Sequence, residues 1–143
     1  MSERRAEDIL AEQGVYVSTT AGSSMWPMLR HRRDTVTVTP LHGEAKKYDV
    51  VLFRRGEKLV LHRVVGFTPD AYLIRGDHCA ESERVEKTRI LGVLSAFTRG
   101  GSPRSVTAPA YVVYSRLIVW LHPLLCLAAR LRRGVFASRH AAP

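Results

Sequence analysis

The sequence predicts a mainly β domain, with a short helix before it and an apolar, basic helix after it. Three observations carry this. Thr35-Val36-Thr37-Val38-Thr39 alternates apolar and polar with the period of a strand, and several other β-type runs of similar length follow, separated by turn residues. The basic and acidic residues balance through residue 86, whereas from Lys87 onward nine are basic and none acidic. Residues 117–129 run for thirteen positions without Arg or Lys. An apolar content of 45% fits a globular chain, and a domain of ~100 residues buries an adequate core.

A helix is expected from Ser2, as its cap, to about Gln13. Ala6, Ile9 and Leu10 fall on one face, and Gly14 ends it. Strands are expected over Val15–Thr20 and over Thr35–Thr39, the latter closed by Pro40. Between them Met25–Leu29 reads as a short helical turn, and Arg30-His31-Arg32-Arg33 reads as a solvated loop. Asp49–Arg54 and Lys58–Phe67 form a hairpin through Arg55-Gly56-Glu57. Ala71–Arg75 and Thr88–Phe97 complete a compact mixed sheet or partly open barrel. Arg75–Arg84 reads as a charged turn. Arg99-Gly100-Gly101-Ser102-Pro103 opens a linker over 99–110. The organisation is therefore a domain over 1–98, the linker, and a helix with its tail over 111–143.

The tail is apolar but shorter in its uncharged run than the ~20 residues a bilayer span needs. Pro123 is expected to kink it. Arg116, His122, Arg130 and Arg133 fall near one face of a helix, the pattern of a helix lying on an anionic membrane surface. The N-terminal residues are polar and lack the apolar core of a secretory signal. The expectation is a cytoplasmic membrane face, with no nucleic acid as partner. Cys79 and Cys126 make no disulfide framework. His78 and Cys79 lack a second ligand pair at metal spacing, so neither a metal nor a cofactor is expected.

The chemistry lies in three segments. Gly22-Ser23-Ser24-Met25-Trp26-Pro27 places a serine in a sharp turn, and a serine hydroxyl needs a neighbouring base to become a nucleophile. Val60-Leu61-His62-Arg63-Val64-Val65 places one histidine in a strand. Imidazole titrates near pH ~6.5, so it takes and returns a proton near neutrality without a large shift. Lys58 shares the strand face of His62 but lies ~13 Å away, which leaves His62 as the base. Arg75-Gly76-Asp77 through Glu83-Arg84 supplies carboxylates to hold the imidazole.

These segments resemble those of the signal peptidase I superfamily of serine proteases, over about residues 15–97. Gly22-x-Ser24-Met25-x-Pro27 is similar to the nucleophile box. Tyr48-Asp49-Val50-Val51-Leu52-Phe53 is similar to the GDVVxF strand, with Tyr48 in place of glycine. Leu61-His62-Arg63-Val64 is similar to the base box. Gly76-Asp77 with Ile90-Leu91-Gly92-Val93-Leu94 is similar to the closing turn and strand. A histidine in the base box resembles the endoplasmic-reticulum and archaeal types.

The resemblance implies a serine endopeptidase that cleaves a peptide or protein precursor through an acyl-enzyme, with Ser24 as nucleophile and His62 as base. It implies Glu83 as the third group, with Asp77 as its rival. The Ser24 N–H is the expected oxyanion donor, since Gly22 stands where other members carry a hydroxyl. The alternatives are a self-cleaving regulatory protease and a catalytically silent module that binds peptide or membrane. The oligomeric state is left open.

Overall fold

The computed structural model describes residues 5–140, with side chains through Val135. The expected Ser2 cap and the last three residues of the tail lie outside the described residues. Helix α1 spans Ala6–Gln13. It buries Ala6 and Leu10 and ends at Gly14, whose N–H bonds to Leu10 O at 3.0 Å.

Eight strands follow: β1 Tyr16–Thr19, β2 Thr35–Thr39, β3 Val50–Arg55, β4 Lys58–Phe67, β5 Ala71–Arg75, β6 Glu83–Glu86, β7 Ile90–Arg99 and β8 Ser102–Ser105. They form one antiparallel sheet in the order β1-β2-β7-β3-β4-β5-β6, with β8 paired to β7. The domain is thus mainly β, as its alternating runs predict.

β7 organises the sheet. One edge pairs with β2 over Val93–Phe97; the other takes β3 at Ile90–Val93 and β8 at Ala96–Arg99. Register shifts at Thr37/Val38, Leu52/Phe53 and Val64/Gly66 break the ladders, and such bulges increase the twist.

Successive residues on β3 enter different cores, because strand side chains alternate between faces. Val50 joins Met25, Met28, Leu29, Val36, Leu94 and Phe97. Val51 and Phe53 join Val64, Tyr72, Ile74 and Val85 on the other face. Leu52 returns to the first face and packs with Leu10 and Val38.

The segment expected as a linker is part of the sheet. Gly100 and Gly101, at φ 59° and 80°, reverse the chain, and β8 returns along β7. Left-handed backbone of this kind is what glycine tolerates best. Arg99 ties the hairpin down by donating to Met28 O at 3.0 Å and to Pro27 O. Helix α2, Pro109–Trp120, then sets Tyr111 and Tyr114 against the first core.

Helix α3, His122–His140, follows α2 across a 59° bend. The break comes where expected, since Pro123 offers no N–H to continue the ladder. Among the described residues no single helix is long and apolar enough to cross a membrane; the bent pair passes together, on length and composition alone.

The faces of this pair differ from the sequence expectation. Trp120, Leu124, Leu127, Leu131 and Val135 are each more than half exposed and form an outward apolar stripe. His122, Arg130 and Arg133 instead face a cleft beside the domain, and the Arg116 guanidinium lies 4.9 Å from the Tyr48 ring. The basic side therefore turns toward the protein. The sequence gives the helical spacing of the basic residues but not which side the domain covers.

Candidate active site

The serine turn lies between β1 and β2. Met25, Met28 and Leu29 anchor it in the first core and leave Ser24 half-buried with Trp26 exposed beside it. The expected short turn over Met25–Leu29 is a single hydrogen-bonded turn that does not extend into a helix, closed by Leu29 N–H to Met25 O at 3.0 Å.

Asp34 closes its far end. The buried carboxylate accepts from the Arg30 N–H at 2.8 Å, the Arg30 guanidinium at 3.0 Å and the Gly100 N–H at 3.1 Å. The Arg30 guanidinium, foremost, holds the Asp34 carboxyl down to about 2, against the opposing effect of burial. Part of the expected solvated basic loop is thus a structural clasp.

The turn meets His62 at Gly76. A Cβ placed there would stand 2.5 Å from Ser24 O, 3.1 Å from His62 Nε2 and 2.8 Å from Cys79 Sγ. Real Cβ contacts do not come as close as the first of these, so the serine turn and the His62 ring approach each other only because residue 76 has no side chain. The next strap is the His78 N–H, which donates to Ser24 O at 2.9 Å. The Trp26 and His78 rings stack edge to face at 5.3 Å. Among the described hydrogen bonds there is none between the Ser24 hydroxyl and His62, and none from the Ser24 N–H.

His62 is buried on β4 opposite Val51, and its ring packs against Phe53 at 6.2 Å. Its Nδ1 is buried without a hydrogen bond, and a Glu83 carboxylate oxygen lies 3.7 Å away. Burial lowers the His62 pKa, the Arg55 charge lowers it further, and Glu83 and Asp77 pull only partly back. The ring is thereby biased toward its neutral, proton-accepting form.

Glu83 does not stand in a charged turn as expected. It opens β6 opposite Ile74 and binds Arg55 through the same oxygen that faces His62.

Asp77, the rival acid, is engaged elsewhere. Its two oxygens accept from Arg63 Nε at 2.7 Å and Nη2 at 2.8 Å, and it also accepts the Tyr114 hydroxyl at 2.8 Å. No ion pair joins it to His62 among the described residues. A carboxylate so saturated shapes the turn and is poorly placed to hold the imidazole.

Arg63 is the residue that sequence reasoning passes over. It is completely buried, one position after His62 and on the opposite face. It also donates to Tyr48 O at 2.9 Å and to the Tyr111 hydroxyl at 3.2 Å, with the Tyr111 and Tyr114 rings each 5.7 Å from its guanidinium. Burial opposes its charge, but the Asp77 carboxylate more than compensates and raises its pKa. Neither its pairing with the closing-turn aspartate nor its α2 tyrosine partners leaves a local signal in the sequence.

Cys79 lies beside the same gap. Burial, first, raises its thiol pKa and keeps it protonated, which disfavours it as a nucleophile. Its carbonyl lies 2.8 Å from His122 Nε2 and so ties α3 to the site. No group of three or more His, Cys, Asp or Glu side chains with metal-holding geometry occurs among the described residues.

No protein-family model matches this chain, and no curated protein matches it in sequence. The functional reading therefore rests on the residues themselves.

Proposed function

We propose that the chain is a serine endopeptidase, similar to the signal peptidase I superfamily, acting on a peptide or protein precursor at a membrane surface. The observation that carries this is the convergence of the Ser24 turn and His62 Nε2 on the side-chain-free position 76. Neutral His62 takes the Ser24 hydroxyl proton as the oxygen attacks the scissile carbonyl. The unbonded Ser24 N–H steadies the oxyanion. His62 then returns the proton to the leaving amine, and water repeats the cycle on the acyl-enzyme. Glu83, near Nδ1, orients the ring and favours its charged form during transfer.

The outward stripe of α3 is the surface we assign to the membrane. Its apolar side chains enter the interface, while the arginines of the same helix face the cleft beside the domain. We place this on the cytoplasmic face.

The open Ser24–His62 geometry equally suits a silent peptide-binding module. Comparing protein N-termini in host cells carrying wild type, Ser24→Ala or His62→Ala decides between the two. The protease reading expects N-termini seen only with the wild type. Identical sets from all three, at equal expression, would favour the module.

A further inference from the structure

A cleft of about 1090 Å³ opens between the Ser24 loop and the bent pair α2–α3. One wall is Trp26, Pro27 and the 77–81 segment; the other is built by helices that lie beyond the four sequence boxes. Leu117, Leu121 and Leu125 give the helical wall an apolar stretch, and Arg130, Arg132 and Arg133 line its far end.

The charge in this cleft is unbalanced. Arg130, Arg132 and Arg133 are exposed, and their side chains have neither an ion pair nor a hydrogen bond among the described residues. Two acids line the cleft with them, Asp77 and Glu81. Asp77 is neutralised by Arg63. That leaves Glu81 against three arginines. A concave site with an apolar stretch and a one-signed end concentrates ligands of opposite charge.

We propose that this cleft binds the substrate chain, and that it selects peptides in which an apolar stretch is followed by acidic residues. The apolar part lies along Trp26 and the leucines, and the acidic part reaches the three arginines. This rests on the peptidase reading for catalysis, but the selectivity is a property of the cleft and is measurable without turnover.

The test uses the full-length Ser24→Ala chain and two fluorescein-labelled peptides with one alanine–leucine core, one ending in glutamates and one in lysines. Fluorescence anisotropy at low salt should give about tenfold tighter binding of the glutamate peptide. The preference should fall to parity when Arg130, Arg132 and Arg133 are all changed to Gln, and should shrink as salt screens it.

Equal affinities for the two peptides, or a preference that survives the triple change, would overturn the proposal. So would a triple variant that keeps the peptide preference and loses only its binding to phosphatidylserine vesicles, because the arginines would then serve lipid. Selective binding by Ser24→Ala without cleavage by the wild type would support the cleft and count against hydrolysis.

Discussion

His62 Nδ1 lies 3.7 Å from the Glu83 oxygen that Arg55 also binds. The carboxylate is therefore shared between Arg55 and the imidazole. Arg55 acts on His62 twice: its charge lowers the imidazole pKa directly, and it draws Glu83 away from a direct hydrogen bond.

The pH dependence follows. The His62 pKa lies below its ordinary value of ~6.5, so the acid limb of kcat/KM should lie below that value. The unfolded chain accepts the proton more readily than the folded one. Stability should thus be full above the ordinary imidazole pKa and fall as pH drops through it. Arg55→Gln should raise the His62 pKa, move the acid limb upward and lessen the acid destabilisation. NMR titration of His62 in both proteins checks this; an unchanged or lower value in the variant would refute the assigned role of Arg55.

Removing Asp77 should act on stability first. Asp77→Ala leaves Arg63 charged and unpaired in the core, where breaking such a pair costs about 3–5 kcal/mol. Tyr114→Phe removes one hydrogen bond to the same carboxylate and should cost about 1.5–3 kcal/mol. Chemical denaturation measures both. A folded, fully stable Asp77→Ala chain with abolished turnover would instead return Asp77 to the catalytic role.

Much of the scaffold is legible in the sequence. β2 begins and ends where alternation places it, β5 matches its expected bounds, and the β3–β4 hairpin turns at Gly56-Glu57 as its glycine predicts. β6 has one buried side chain, Val85, and β8 has none, so neither carries an apolar period; the strands beside them define them. The serine turn and base strand are visible as local motifs. The occupation of Asp77 by Arg63 and the Tyr114 hydroxyl, and the bond of Arg63 to Tyr111, are not, because those contacts join segments far apart in the chain. The orientation of α3 is hidden for the same reason.

Gly76→Ala should disable the site. The added methyl meets the Ser24 carbonyl, a backbone atom that cannot swing aside, and then the His62 ring. Overpacking of this kind costs about 1–3 kcal/mol. A shift of the serine turn by a fraction of an ångström should also lower kcat, by about a hundredfold. Wild-type turnover and melting temperature in Gly76→Ala would show that the serine turn and the base do not need this close approach.

The α3 stripe gives the test of membrane docking. Leu124 and Leu127 lie on the outward face, away from both the cores and the cleft, so changing them leaves the site intact. Burying a leucine contributes about 1.5–3 kcal/mol. Replacing both with glutamate removes that gain and places negative charge against an anionic surface. Binding to phosphatidylserine vesicles should fall at least about a hundredfold, equivalent to roughly 3 kcal/mol. Hydrolysis of a short soluble peptide by the same variant should stay at the wild-type rate, because no catalytic group has moved. If vesicle binding persisted in Leu124→Glu/Leu127→Glu and vanished in the Arg130, Arg132 and Arg133 variant, the basic side of α3 would be the membrane face. The helix would then have to leave the cleft to dock.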